Sequence, residues 1–138
     1  MKSVAVDTNV VLSFVTDRDP RQQRAAARLF EDAASGERRI VLLQVVLVEI
    51  FCVLQNLYRT PVGEIAVLLD DLLAMPHVIA DNEVSWHAVL EIWPGRIRDF
   101  ADAVLIAVAR SGDHEVASFD RKLTRALRRL GAVPYPLR

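Results

Sequence analysis

Short apolar runs alternate with longer amphipathic segments along the chain. A short apolar run between turn-forming or acidic residues is typical of a buried strand, whereas apolar residues three and four positions apart predict a helix. The runs predict strands at residues 4–6, 40–43, 78–80 and 116–118, and an edge strand from Val133. The helical spacing predicts helices at residues 10–15, 20–34, 45–59, 83–92, 100–110 and 121–130, with one more after Pro61.

The alternation of strands and helices predicts an α/β fold. In this class a central parallel sheet carries helices on both faces, which gives a three-layer α/β/α arrangement. The chain has 138 residues, of which 52% are hydrophobic and 25% charged, as in an ordinary soluble domain. We therefore expect a single domain over residues 1–138.

Two consecutive predicted helices, residues 45–59 and the helix after Pro61, are apolar over most of their surface. They offer more apolar surface than one sheet face needs, which indicates either contact with a second copy or partner, or simple filling of the core. Cys52 has apolar neighbours and is expected to be buried and reduced. Trp86 and Trp93 are also expected in the core.

The longest apolar region, residues 40–54, does not predict a membrane segment. Gln44 and Glu49 interrupt it, and it is shorter than the roughly 20 residues that span a bilayer. No apolar signal core follows the first residues, so we expect a cytoplasmic protein without membrane contact.

The formal net charge of −1 gives no overall attraction to nucleic acid. A nucleic-acid partner would therefore depend on local basic patches. One basic stripe, formed by Arg21, Arg24 and Arg28, follows the second predicted helix. A solvated helix surface explains this stripe better than a binding surface does.

Several motifs that identify an enzyme class are absent from the sequence. It has no Gly-rich phosphate loop, no His pair at metal-binding spacing and no Gly-x-Ser-x-Gly turn. His77, His87 and His114 are isolated and fit surface or packed positions better than metal-binding ones. Candidate chemistry therefore rests on the acidic residues.

Asp7 and Asp120 each follow a predicted strand and precede a predicted helix. Ligands of open α/β sheets bind beyond the carboxyl ends of the strands, so an acid there can hold a cation or a reacting group. Each acid would also serve as the N-cap of the following helix, and the two roles are compatible.

Three further acids lie on predicted helices. Glu49 has apolar helical neighbours, and a buried carboxylate is costly unless it is paired, so we expect either an Arg partner or, preferably, a metal. Asp99 and Asp102 are three positions apart on one helical face, where like charges repel unless something positive lies nearby. The alternative is that Asp99 caps the helix and Asp102 interacts with the helix dipole.

A single cluster would explain the positions of these acids together. If the ends of adjacent strands and the flanking helices bring them into contact, the carboxylates form a cup above one edge of the sheet. Carboxylate oxygens are the ligands that hard divalent cations prefer, so the sequence predicts a site for Mg²⁺ or Mn²⁺.

The ordered acidic motifs resemble those of PIN-domain ribonucleases, and their order and spacing resemble those of the small bacterial toxins of the VapC type. The motifs are Val-Asp-Thr-Asn at Asp7, Val-Glu-Ile at Glu49, Asp-Phe-Ala-Asp-Ala-Val-Leu-Ile-Ala from Asp99 to Ala107, and Ser-Phe-Asp ending at Asp120. The resemblance covers nearly the whole chain and implies a PIN-like fold.

The resemblance also implies roles for individual residues. The catalytic and metal-binding acids would be Asp7, Glu49, Asp102 and Asp120, with Asp99 as a fifth candidate ligand. Thr8 and Asn9 would orient the first acid or its water, and Ser118 keeps a hydroxyl where the family usually has Thr.

The function implied by the resemblance is Mg²⁺- or Mn²⁺-dependent hydrolysis of RNA phosphodiester bonds. It further implies a homodimer and a cognate antitoxin protein that blocks the acidic cleft. The basic residues after the last acid would position the RNA backbone, or would form a solvated basic helix end: Arg121, Lys122, Arg125 and Arg128. The alternative function is a catalytically silent PIN-like module that binds RNA or protein.

Overall fold

The computed structural model describes residues 1–81, 83–112 and 114–138. Within them the chain forms five strands: β1 (Lys2–Val6), β2 (Arg38–Leu43), β3 (Val78–Asp81), β4 (Glu115–Ala117) and β5 (Val133–Pro134). It also forms seven helices: α1 (Thr8–Val15), α2 (Pro20–Ala34), α3 (Gln44–Asn56), α4 (Val62–Leu73), α5 (Trp86–Ile92), α6 (Phe100–Gly112) and α7 (Arg121–Arg129).

The five strands form one parallel sheet in the order β3-β2-β1-β4-β5. The central strand β1 pairs with both neighbours, and Val4 lies opposite Ile40 on one side and Glu115 on the other. Strands β2 and β3 lie on one side of β1, and the later strands β4 and β5 lie on its other side. This reversal creates a crevice at the carboxyl ends of β1 and β4, where α/β proteins bind their ligands. The predicted α/β class with a central parallel sheet is confirmed.

Burial of both faces of the sheet explains why the strands are continuous apolar runs in the sequence. A parallel sheet covered on both faces buries successive side chains, and Val4, Ala5 and Val6 of β1 are all fully buried. Helix α6 is also deeply buried, since every residue from 103 to 109 belongs to the core. It therefore forms a rigid support for the acids in its first turn.

Two predicted helices differ from the structure by three residues at one end. Helix α5 begins at Trp86 instead of Glu83, because Ser85 Oγ caps it by accepting a hydrogen bond from the Ala88 amide at 3.4 Å. Helix α3 ends at Asn56 instead of residue 59. Arg59 has a left-handed backbone, with φ of 55°, which is incompatible with a continuing helix.

The predictions that Cys52 and Trp86 are buried were wrong. The inward face of α3 carries Val46, Ile50 and Leu54, four positions apart, and this spacing places the intervening Cys52 on the exposed side. Trp86 is 56% exposed, because it starts α5 at the surface and stacks on the Phe100 ring at 6.0 Å instead of entering the core.

No helix within the described residues has both the length and the apolar character needed to cross a bilayer.

Candidate metal centre

The ends of β1 and β4 are joined directly at the crevice. The Asp7 amide donates a hydrogen bond to the Ala117 carbonyl at 2.9 Å, which fixes the first residue after β1 against the last residue of β4. Asp7 then begins α1 as its N-cap, with the Thr8 amide donating to Asp7 Oδ1 at 2.8 Å. The acid thus has the capping role expected for it and also faces the crevice.

The second carboxylate oxygen of Asp7 is held by two side chains. Ser118 Oγ donates to Asp7 Oδ2 at 2.7 Å, and Asn9 Nδ2 donates to the same oxygen at 3.2 Å. Asn9 also accepts a hydrogen bond from the Phe119 amide at 3.2 Å through its Oδ1 atom. These contacts tie the loop after β1 to the loop after β4 and fix the orientation of the half-buried Asp7 carboxylate.

Asp120 is connected to Asp7 through Ser118. The Asp120 amide donates to Ser118 Oγ at 3.0 Å. The exposed Asp120 side chain is the N-cap of α7 and accepts hydrogen bonds from the Lys122 and Leu123 amides at 2.8 and 3.3 Å. Both amides donate to Oδ1, so the Oδ2 atom of the same carboxylate can bind a metal ion.

Glu49 reaches the crevice from α3, where it is half-buried. Its Oε1 atom accepts a hydrogen bond from Thr8 Oγ1 at 3.2 Å, so α1 and α3 are linked beside Asp7. No arginine among the described residues pairs with Glu49. The only ion pair found in these residues joins Arg38 to Glu115 at 2.9 Å. Those two residues begin β2 and β4, at the opposite edge of the sheet.

Asp99 and Asp102 enter the crevice from the start of α6. Asp99 is exposed and caps this helix, because its Oδ1 atom accepts a hydrogen bond from the Asp102 amide at 2.9 Å. Asp102 is half-buried in the first turn, above the buried stripe that begins at Ala103. The structure therefore supports both parts of the capping alternative while keeping the two carboxylates close together.

The acids perturb one another electrostatically. The pKa of Asp102 is raised from 3.8 to about 7, first by burial and then by the negative charges of Asp99, Asp7, Asp120 and Glu49. Burial is also the main reason that the pKa values of Asp7 and Glu49 are raised, although hydrogen bonds from Ser118 and Thr8 partly oppose the effect. Asp102 and the four acids whose charges act on it are called here the acid cluster.

The acid cluster has the chemistry of a hard-cation site. All of its donor atoms are oxygen. Its negative charges repel one another, and none of its acids forms an ion pair with a described basic side chain. Within the described parts of the chain, no three Asp, Glu, His or Cys side chains are close enough to form a ready-made metal cage. Mg²⁺ does not require one, because it keeps several waters and is usually held by one or two carboxylates. The residues therefore fit Mg²⁺ or Mn²⁺.

A groove of about 710 Å³ lies beside the acid cluster, and its lining includes Ser118, which contacts Asp7, and Phe119. Of the four basic residues predicted to contact RNA, the groove is lined by Arg121, Arg125 and Arg128, whereas Lys122 is exposed outside its lining. Two further arginines line it that the sequence did not single out for this role, Arg21 of α2 and Arg138 after β5. Arg21 belongs to the arginine stripe on α2, and this stripe is the sequence feature from which its position in the groove could have been predicted.

Comparison with known proteins connects this geometry to a family. A family model for the PIN domain matches residues 4–128, which is nearly the whole chain. No curated protein matches the sequence.

The fold is also similar to that of solved structures. The structure of VapC20 from Mycobacterium tuberculosis, a toxin that cleaves the sarcin-ricin loop, gives a TM-score of 0.69 at 22% identity over 96% of this chain and 98% of that chain. FitAcB from Neisseria gonorrhoeae gives a TM-score of 0.65 at 18% identity over 96% of both chains. VapBC2 from Rickettsia felis, bound to a DNA fragment from its promoter, gives 0.63 at 12% identity over 96% of both chains. At these identities the similarity is one of fold, and together with the family model it shows that this chain belongs to the PIN-domain family.

Proposed function

We propose that this protein is a Mg²⁺- or Mn²⁺-dependent endoribonuclease. Members of the PIN-domain family are nucleases, and they generally use divalent metals. The observation that carries the proposal is the acid cluster, in which burial and four neighbouring carboxylates raise the pKa of Asp102 to about 7. A divalent cation would relieve this repulsion, so the ionised cluster favours cation binding.

The residues of the acid cluster would hold the metal. Its ligands would be drawn from Asp7, Glu49, Asp99, Asp102 and Asp120. The bound ion would lower the pKa of an attacking water and stabilise the charge that develops on the phosphodiester and the leaving oxygen.

The neighbouring polar residues act by fixing the acids in place. Ser118 and Asn9 fix Asp7 Oδ2, and Thr8 fixes Glu49 Oε1. Partners of this kind orient metal ligands, so the chemistry depends on them although they do not touch the substrate. Arg121, Lys122, Arg125 and Arg128 would bind phosphates of the RNA backbone, which sets the register of the substrate without reading its sequence.

A cleavage assay tests the proposed activity. A fluorescently labelled RNA should be cut internally by the purified protein with Mg²⁺ or Mn²⁺ and should stay intact in EDTA. The Asp7→Asn variant is the matched control for a contaminating nuclease and should be inactive with metal. Equal cleavage by wild-type protein in EDTA and in Mn²⁺ would overturn the proposal.

The fold neighbours support a toxin role. One of them is named as a toxin, and the Rickettsia felis structure is a VapBC2 complex bound to a promoter fragment. We therefore propose that the chain is the toxin of a VapBC-type pair and that a cognate antitoxin blocks the acid cluster. Expression of the wild-type protein alone should arrest growth, whereas expression of Asp7→Asn to the same level should not. Normal growth with both would contradict the toxin role.

Exposed apolar side chains support a homodimer. Val48 of α3, Val67 of α4 and Leu90 of α5 are each more than half exposed. Contact with a second copy would remove this apolar surface from water. Light scattering during size-exclusion chromatography should give twice the 15.5 kDa mass of the chain. Substitution of Leu90 by Asp tests the α5 part of this surface, and Val67→Asp tests the α4 part. A monomeric mass for the wild-type protein would overturn the homodimer.

A further inference from the structure

The groove beside the acid cluster has walls from three separate parts of the chain. Helix α2 contributes Arg21, helix α7 contributes Arg121, Arg125 and Arg128, and the segment after β5 contributes Arg138. Ser118 and Phe119 also line the groove. Ser118 also donates a hydrogen bond to Asp7, so one lining residue of the groove contacts the acid cluster.

The groove has a strong excess of positive charge. Five arginines line it, and its one acidic lining residue, Asp19, is engaged in capping α2 through bonds from the Arg21 and Gln22 amides at 3.0 and 3.1 Å. Among the ion pairs found in the described residues, none involves these five arginines. Guanidinium groups held near one another repel, so the arrangement favours an anionic ligand with several charges spaced along its length.

The wall formed by the segment after β5 is fixed by Tyr135. Its hydroxyl donates to Asp32 Oδ2 at 2.6 Å, and its amide donates to the Val116 carbonyl at 2.8 Å. The Arg38 guanidinium lies over its ring, 5.8 Å from the centroid. Arg28 holds the end of the same segment through the Arg138 carbonyl. Burial raises the pKa of Tyr135, so its hydroxyl stays protonated and remains a donor.

We propose that this groove binds the backbone of single-stranded RNA next to the scissile phosphate, and that Tyr135 is a positioning residue that holds its outer wall. The inference rests on the proposed ribonuclease function. Arginines that line a groove together with an aromatic side chain such as Phe119 are the combination that binds single strands, through phosphate contacts and base stacking. Arg21 and Arg138 thereby join the substrate-binding residues, and Tyr135 acts through them.

Paired arginine substitutions test the groove. The binding of a labelled oligouridylate is measured by fluorescence anisotropy in EDTA, with all variants made in the Asp7→Asn background so that the probe stays intact. Arg125→Ala removes a groove residue, and Arg129→Ala removes an exposed arginine of the same helix that lies outside the lining. Arg21→Ala and Arg24→Ala form the same kind of pair on α2.

The groove variants should bind about tenfold more weakly at low salt, because each loses a charge-assisted phosphate contact. Each should also lower the slope of log affinity against log salt by about 0.7, the value for one contact on a single strand. The two control variants should stay within about twofold of their parent. Equal losses in groove and control variants would overturn the groove. Polyglutamate serves as a second probe, for an acidic protein segment. If the groove variants lost polyglutamate binding but kept RNA binding, the groove would bind an acidic segment instead of RNA, and the proposal would be overturned.

The role of Tyr135 is tested in the active enzyme. Tyr135→Phe removes only the hydroxyl that bonds Asp32, and Tyr58→Phe, at an exposed tyrosine far along the chain, is the matched control. A positioning role predicts a raised KM for RNA with kcat unchanged, whereas a merely structural role would lower the melting temperature and leave KM unchanged. An unchanged KM would therefore overturn the role of Tyr135.

These experiments separate the inference from the proposed function. RNA binding by the groove without any metal-dependent cleavage would refute the ribonuclease and leave the groove intact. Metal-dependent cleavage combined with equal effects of groove and control variants would refute the groove alone.

Discussion

Ser118 Oγ donates a hydrogen bond to Asp7 Oδ2 at 2.7 Å and accepts one from the Asp120 amide at 3.0 Å. One hydroxyl thus sets the orientation of the acid after β1 and the start of the loop that carries the acid after β4. Ser118 and Asp7 are 111 positions apart in the chain, so the bond exists only because β1 and β4 are neighbours in the sheet.

Ser118→Ala should weaken both metal binding and cleavage, since Asp7 loses its shortest side-chain hydrogen bond. Removal of such an orienting partner typically lowers metal affinity or activity by about 10- to 100-fold. Mn²⁺ titrations by calorimetry and RNA cleavage rates check the two effects. Ser118→Thr keeps the hydroxyl and should retain most of the activity. A fully active Ser118→Ala variant would contradict the orienting role.

The cleavage rate should fall when any one of three proposed ligands is changed: Asp7→Asn, Asp102→Asn or Asp120→Asn. Loss of a residue that only orients a ligand lowers activity by about 10- to 100-fold, so loss of the charged ligand itself should lower kcat by more than about 100-fold. The losses should not add in the triple variant, since the acids act as one unit. Cleavage rates at saturating Mn²⁺, with circular dichroism to verify folding, check this expectation. Full activity in any one variant would remove that residue from the proposed ligand set.

Glu49→Gln should leave the metal-free protein as stable as the wild type, or more stable. The described residues give Glu49 a hydroxyl partner, Thr8. Burial raises the pKa of Glu49, and the charges of Asp7 and Asp99 add to the effect. If an Arg were paired with it in the core, the same substitution would destabilise by about 3 to 5 kcal/mol. Thermal melts in EDTA distinguish the two outcomes.

The same variant also tests whether Glu49 contributes to metal binding. Wild-type protein at about 100 times its Kd for Mn²⁺ should gain roughly 2.7 kcal/mol of stability, and Glu49→Gln should gain much less at that concentration. Melts of both proteins with and without Mn²⁺ provide the measurement. An unchanged Mn²⁺ increment in the variant would exclude Glu49 from the site.

The stability of the metal-free protein should fall as the pH rises. The pKa of Asp102 is raised from 3.8 to about 7 in the folded state, so the folded protein holds this proton more tightly than the unfolded chain does. Its stabilising contribution is complete below about pH 4 and is lost as the pH passes through about 7. Melting temperatures in EDTA should show this fall in the wild type and a smaller one in Asp102→Asn. Identical pH profiles would contradict the raised pKa.

Most of the fold could be predicted from the sequence because each strand is a short apolar run between clear turn or cap residues. Asp19 followed by Pro20, for example, marks the start of α2, and the structure begins the helix there. The exposure of Cys52 and Trp86 was predicted wrongly, because apolar neighbours in the sequence do not show which face of a helix meets the core. That information comes from tertiary packing.

The sequence predicts Asp7 and Asp120 as neighbours, because each follows a strand and the carboxyl ends of β1 and β4 meet at one edge of the sheet. The supporting contacts of the site were harder to predict. Thr8 and Glu49 are 41 positions apart, and Tyr135 and Asp32 are 103 apart, so neither bond has a local signal in the sequence. The roles of the site residues, the metal, the RNA substrate, the antitoxin, the homodimer, the extent of the domain and the cytoplasmic location stay predictions.

The capping role of three of the acids affects how this site should be mutated. Asp7, Asp99 and Asp120 each accept hydrogen bonds from the first turn of a helix. Asn caps a helix about as well as Asp, whereas Ala lowers stability by about 1 kcal/mol at each cap. Three alanines would therefore remove about 3 kcal/mol from a protein whose total stability is about 5 to 15 kcal/mol. An alanine scan would confuse unfolding with loss of chemistry, while asparagine changes the charge alone.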